Sequence, residues 1–94
     1  MANHKSAAKR ARQNEKRRLR NRARRSRART LVKRFRAAAE SGDVEAARAG
    51  FALAERELRK AASKGVFKKP TVSRRISRLA RLLHRVESGS RQAS

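Results

Sequence analysis

Apolar residues recur at steps of three and four in three separate stretches of this chain, which places them on one face of an α-helix. Three such faces can be buried against one another, so the sequence predicts an all-α fold, a three-helix bundle with helices over roughly 5–40, 44–64 and 71–87. With 94 residues, we expect a single domain over 1–88 and a disordered tail over 89–94. The three apolar stripes consist of Ala28, Leu31, Val32, Phe35, Ala38 and Ala39; of Val44, Ala47, Phe51, Ala54, Leu58 and Ala61; and of Val72, Ile76, Leu79, Leu83 and Val86.

Turn residues separate the three stripes. The letters SGD at 41–43 supply a glycine that can end the first helix in the left-handed conformation and an aspartate that can cap the second. The letters KG at 64–65 end the second helix, and the third begins with either Pro70 in its first turn or the Thr71 hydroxyl as its cap. Gly50 lies inside the second helix and costs roughly 1 kcal/mol relative to alanine, unless a close approach of two helices requires it.

The bundle can cover only part of the long first helix. Residues 5–27, upstream of Ala28, contain five scattered apolar side chains, which are too small and too dispersed to form a buried face. A helix over 5–40 would be about 54 Å long, whereas the other two helices are long enough to cover only its C-terminal part. We therefore expect residues 5–27, called the basic rod below, to extend beyond the bundle.

Positive charge is concentrated towards both ends of the chain. Residues 1–36 carry 16 Lys or Arg and one acid, a net charge of +15, while residues 37–58 have a net charge of −3 and residues 59–94 a net charge of +10. A compact body with the total charge of +22 repels itself unless a polyanion or counterions neutralise it. The charge therefore predicts a strongly acidic partner, from which the middle segment faces away.

Arginine dominates the C-terminal part of the basic rod, where six of the ten residues in RNRARRSRAR, 20–29, are arginine. Like charges four residues apart on a helix are unfavourable by roughly 0.2–0.5 kcal/mol per pair, so the rod should be weak alone. Phosphate groups turn that repulsion into attraction and release counterions, so we expect the rod to order fully only on nucleic acid. Basic residues cover every side of the rod, which favours a binding segment over a solvated face.

Other nucleic-acid-binding classes fit the sequence less well. Single-strand readers stack bases on exposed aromatic rings, but we expect Phe35 and Phe51 in the core and Phe67 as a hydrophobic plug at the end of the bundle. A basic zipper region needs small residues where Arg24 and Arg25 stand, followed by a long leucine heptad. A protein that packs nucleoid DNA has a similar composition and is the alternative to an RNA-binding protein.

The sequence lacks the features of an enzyme, a metalloprotein or a membrane protein. Its four glycines are too far apart for a phosphate-binding loop, it has no cysteine, and His4 and His84 lack zinc-site spacing. No stretch is long and apolar enough to cross a bilayer, and the basic rod has no apolar face to insert into a membrane surface. We expect no catalysis, cofactor, metal, small-molecule substrate or homo-oligomer.

Residues 1–30, MANHKSAAKRARQNEKRRLRNRARRSRART, resemble the N-terminus of the bacterial small-subunit (30S) ribosomal protein family numbered twenty. The MAN start, then KSA, KR, RQ, E, RR, N, RS and RT, recur at the spacing of that family, and GD and KAASKGV around the second helix extend the resemblance to Val86. The resemblance implies a three-helix bundle with an extended first helix that binds small-subunit (16S) ribosomal RNA at its 5′ domain and against the long penultimate helix. It also implies a structural role in ribosome assembly, in the cytoplasm.

The resemblance further implies which side chains contact the RNA. Most of them lie on the first helix, and a second group lies around the start of the third. The first group is Asn3, Lys5, Ser6, Lys9, Arg10, Arg12, Gln13, Arg17, Arg18, Asn21, Arg25, Ser26, Arg29 and Lys33, with Arg22 as a further candidate from the same stretch. The second group is Lys64, Lys68, Lys69, Arg74, Arg75 and Arg78.

Overall fold

The structure, a computed structural model, describes the backbone of residues 2–93 and the side-chain environments of residues 4–89. It contains three helices, α1 (Ala2–Ser41), α2 (Val44–Ser63) and α3 (Lys69–Ala93), and no strand within the described residues. The predicted all-α fold with a long first helix is confirmed. The molecule is elongated, with principal extents of 74 × 21 × 13 Å.

The core forms where α2 packs against both of its neighbours, while α1 and α3 contact each other at few positions. Phe35 of α1 and Leu58 of α2 are the largest fully buried side chains. All of the predicted stripe positions are buried or partly buried, as expected from their spacing. The buried apolar residues are Ala28, Phe35, Ala39, Ala47, Ala54, Leu58, Ala61, Val72, Ile76 and Leu79.

Phe35 and Phe51 are not equally deep in this core. The Phe35 side chain is completely buried, whereas Phe51 is partly exposed at the margin. The two rings meet edge to face, with centroids 5.8 Å apart and an interplanar angle of 61°. Phe51 lies on the predicted stripe and packs against the core, but only the Phe35 ring is fully buried.

Gly50 lies where the backbones of α1 and α2 come close together. A Cβ atom built at this position would lie 3.2 Å from the Cα atom of Phe35 and 3.4 Å from its Cβ atom. The close helix approach that would justify a glycine inside α2 is therefore present. The glycine lets the two backbones approach and lets the Phe35 ring occupy the core.

The turns between helices follow the predicted chemistry. Gly42 and Gly65 both have positive φ, at 77° and 76°, which is the left-handed conformation that ends a helix. The Asp43 carboxylate accepts a hydrogen bond of 3.1 Å from the Ala46 amide and caps α2. Pro70 lies in the first turn of α3, where its missing N–H leaves no hydrogen bond unmade.

The last helix, α3, runs past the end of its apolar stripe. The sequence predicts disorder over 89–94, and this stays a prediction; α3 is described as far as Ala93, and Ser94 lies outside the described residues. Nothing in this segment forbids a helix, because it contains no proline and a single glycine, Gly89, costs only about 1 kcal/mol. The helix therefore extends beyond the apolar stripe that ends at Val86.

Candidate nucleic-acid interface

The N-terminal half of α1 projects from the bundle without cover. Every side chain from residue 4 to residue 20 is exposed, and burial along α1 begins with the half-buried Asn21 and Arg24. At 1.5 Å per residue, the 40 residues of α1 span about 60 Å, most of the 74 Å length of the molecule. The part of the basic rod up to Arg20 thus presents its charges in all directions around the helix axis.

Glu15 is the one acidic residue of the basic rod, and it forms an ion pair with Arg18. The Arg18 guanidinium donates hydrogen bonds of 2.7 and 3.1 Å to the two carboxylate oxygens of Glu15. The hydrogen bond from Arg18 and, secondarily, its positive charge lower the pKa of Glu15, and the hydrogen bond to Glu15 with its negative charge raises the pKa of Arg18. The pair holds Arg18 in one orientation along the helix, although an exposed pair of this kind adds little stability.

The structure leaves nearly all of the predicted RNA-contacting side chains accessible. Asn21 is half-buried, and the side chain of Asn3 lies outside the described residues. The remaining positions are exposed, which a phosphate contact requires. They are Lys5, Ser6, Lys9, Arg10, Arg12, Gln13, Arg17, Arg18, Arg22, Arg25, Ser26, Arg29 and Lys33 on α1, and Lys64, Lys68, Lys69, Arg74, Arg75 and Arg78 around α3.

Part of the two predicted groups meets in a groove between α1 and α3. Arg29 and Lys33 line one side of it, and Arg75 and Arg78 line the other. The groove has a volume of about 360 Å³ and an apolar floor. Arg36 also lines this groove but is not among the predicted contacts. Its position one helical turn after Lys33 places it on the same face of α1, so helical spacing could have identified it.

A second basic surface lies on the outer side of α3. Arg74, Arg78 and Arg81 line one shallow depression with two serine hydroxyls, and Arg81 and Arg85 line the next. These four arginines follow one another at steps of four, three and four, so they form a stripe along the helix. The contact positions predicted on α3 end at Arg78 and leave out Arg81 and Arg85, although both share the same helical spacing.

Phe67 closes the end of the bundle, as predicted. It is partly buried and packs against the core, and the Arg75 guanidinium lies over its ring at 5.1 Å from the centroid. A cation–π contact of this type is worth roughly 0.5–1 kcal/mol at an exposed site. It positions Arg75, a side chain of the groove wall, before any ligand binds.

Two acidic side chains form ion pairs that join neighbouring helices. Glu57 of α2 forms an ion pair with Arg27 of α1, with a nitrogen–oxygen distance of 3.3 Å. Glu87 of α3 forms one with Arg48 of α2, at 3.1 Å. The residues that line the groove and the two depressions of α3 include no acid. Both basic surfaces are therefore available for an anionic partner.

Two further kinds of feature, a membrane-spanning helix and a cluster of metal-ligating side chains, are absent from the described residues 2–93. No helix between residues 2 and 93 has the length and apolar character that crossing a membrane requires. His, Asp and Glu side chains do not gather in threes around a metal-sized space in the same part of the chain.

Known proteins resemble this chain over most of its length. The family described as "Ribosomal protein S20" matches residues 2–84. A protein of Gluconobacter oxydans is 52% identical over 80 residues, which cover 85% of this chain and 90% of that protein. Proteins of Geobacillus kaustophilus and Thermobifida fusca are each 49% identical, over 94% and 93% of this chain and 99% and 95% of their own lengths. All three are named "Small ribosomal subunit protein bS20".

Proposed function

Because the chain belongs to the ribosomal protein S20 family, we propose that it is a structural component of the small ribosomal subunit that binds 16S ribosomal RNA directly and stabilises its folding and assembly. It acts in the cytoplasm, within the ribosome, and is not an enzyme. One observation carries the RNA-binding part of this proposal. Residues 4–20 form a helix exposed on every side, with eight basic residues against one acid.

The mechanism is electrostatic. RNA helices that approach one another bring their phosphates together, and the repulsion opposes the folded arrangement. A basic rod placed between them neutralises phosphates on several sides at once and releases their counterions. Arginine suits this task because its planar guanidinium can contact two phosphate oxygens together.

The bundle holds a second basic surface, on α3, in a defined position relative to the basic rod. The stripe of Arg74, Arg78, Arg81 and Arg85 lies on α3, which α2 holds at a fixed distance from α1. A single RNA fold can engage the rod and this stripe together only if its phosphates match their separation. We therefore expect recognition by shape and backbone, without a requirement for exposed aromatic rings.

A titration at several salt concentrations tests the proposal. If the protein neutralises 6–10 phosphates, its affinity for a fragment of the 16S 5′ domain should fall by about 10³–10⁵-fold between 50 and 200 mM salt, with the duplex-DNA relation as a guide. Arg25→Ala should flatten the salt slope by about one unit. Arg56→Ala, which removes an exposed arginine from α2, is the matched control and should leave the slope unchanged.

Selectivity is tested with a scrambled duplex RNA and in cells. The 5′-domain fragment should bind more tightly than the duplex at physiological salt, and equal affinity would leave only a nonspecific polycation. Crosslinking in intact cells, followed by sequencing of the attached nucleic acid, should recover mainly small-subunit ribosomal RNA. A diffuse genomic DNA signal would replace the proposal with nucleoid packing.

A further inference from the structure

The groove between α1 and α3 has an apolar floor, which a phosphate backbone alone would not contact favourably. Both helices pack on α2 and contact each other little, which leaves a space of about 360 Å³ above the α2 side chain Leu58. Val32 of α1 and Leu79 of α3 complete the floor with Ala28. Val32 is partly exposed, whereas the other three are almost completely buried, so Val32 presents the accessible apolar surface.

The two walls of the groove carry the same charge. Arg29, Lys33 and Arg36 lie on the α1 side, and Arg75 and Arg78 lie on the α3 side. No acidic side chain lines the groove, so within the described residues nothing there offsets the repulsion between the walls. A ligand that places negative charge between the walls turns this repulsion into attraction. A ligand that also places an apolar group on the floor removes Val32 from water.

One unpaired nucleotide has both properties, because its base has an apolar face and its phosphates are anionic. We propose that the groove binds a single unpaired nucleotide of the RNA, with the base on Val32, above the nearly buried Leu79, and the flanking phosphates on the two basic walls. The proposal rests on the RNA-binding function proposed above and assigns one subsite to it. A duplex cannot fill this site, since its bases are stacked between its phosphate backbones.

The groove is also continuous with the basic surfaces on either side of it. Arg29 and Lys33 continue the charge of the rod along α1, and Arg78 lines both the groove and the outer depression of α3. An RNA strand that passes from the rod to the α3 stripe therefore crosses the groove. The volume of about 360 Å³ lies at the small end of ligand pockets, which suits one nucleotide rather than a peptide helix.

Nuclear magnetic resonance on the full-length protein with labelled methyl groups tests this subsite. The probes are adenosine 5′-monophosphate, inorganic phosphate and an acidic amphipathic peptide, each titrated separately. The mononucleotide should shift the methyl signals of Val32 and Leu79 and bind about tenfold more tightly than inorganic phosphate, because of the apolar area that its base buries. Equal affinity for the two, or methyl shifts with the peptide alone, would overturn the proposal, and the second result would assign the groove to a protein partner.

Matched variants separate the subsite from general RNA binding. Val32→Thr keeps the shape of the floor but replaces one methyl group with a hydroxyl. It should lower the affinity for the mononucleotide and leave the affinity for phosphate unchanged. Arg29→Gln should weaken both, whereas Arg34→Gln, an exposed α1 position outside the groove, should weaken neither. Equal losses for Arg29→Gln and Arg34→Gln would also overturn the subsite. The salt slope of Arg25→Ala on the 5′-domain RNA tests the proposed function independently.

Discussion

Replacing Gly50 with alanine should destabilise the protein, although alanine is the better helix former. Gly50 lies inside α2, and the new methyl group would lie 3.2 Å from the Cα atom of Phe35 on α1. This neighbour is backbone, so it cannot rotate away as the end of a long side chain could. Relief requires α1 and α2 to separate by a few tenths of an ångström, which loosens the packing around Phe35.

The expected magnitude follows from two opposing effects. Alanine gains roughly 1 kcal/mol of helix propensity over glycine. Overpacking at a tight helix contact costs roughly 1–3 kcal/mol. The net loss for Gly50→Ala should therefore reach up to about 2 kcal/mol, and Gly50→Val should cost more because its branched side chain adds two further methyl groups.

Gly89 provides a control with the same chemical change. It also lies inside a helix, α3, but a Cβ atom built on it meets nothing within 4 Å. Gly89→Ala should therefore raise the stability by a few tenths to about 1 kcal/mol. Urea denaturation followed by circular dichroism measures both changes, and 1 kcal/mol corresponds to roughly 4–8 °C in Tm for a domain of this size.

The signs of the two changes decide the outcome. We expect Gly50→Ala to lower the midpoint and Gly89→Ala to raise it. If Gly50→Ala raised the stability as much as Gly89→Ala, the close approach between Gly50 and Phe35 would be refuted. The assignment of Gly50 as the site where α1 and α2 meet would then be wrong.

Three further predictions concern the core, the rod and its ion pair. Phe35→Ala should lower the free energy of unfolding by about 3–5 kcal/mol and Phe51→Ala by about 1–3 kcal/mol, because only the first ring is fully buried, and equal losses in urea denaturation would contradict this. Residues 5–25 should exchange amide hydrogens quickly in the free protein and slowly on RNA, so strong protection without RNA would refute RNA-dependent ordering. Arg18 lowers the pKa of Glu15, so the ion pair supports the helix above the ordinary carboxyl pKa and is lost as the pH falls through the lowered value. Helicity should therefore fall less on acidification in Glu15→Gln than in the native protein, and identical circular dichroism curves would contradict a role for the pair.

The sequence alone determined the three helices, their turns and the uncovered rod. Helical spacing of apolar residues shows which face of each segment avoids water. The turns at 41–43 and 64–65 depend on residue types that end or begin a helix locally, such as the two glycines with positive φ. The absence of an apolar face before Ala28 is equally local, so the exposure of residues 4–20 could be predicted. The resemblance to the ribosomal protein family was also visible in the sequence, because several short motifs recur at the spacing of that family.

Only the tertiary structure decided how deeply each stripe position is buried and what lies between the helices. Spacing placed Phe35 and Phe51 on equivalent stripes, but the position of each ring relative to the contact of α1 with α2 made one fully buried and the other half-buried. The groove exists because α1 and α3 both pack on α2 and barely touch each other, so Arg29 and Arg75 face a common space from segments far apart in sequence. A periodic pattern records which way a side chain points from its own helix axis, and the relative positions of three axes are fixed only when their side chains pack together.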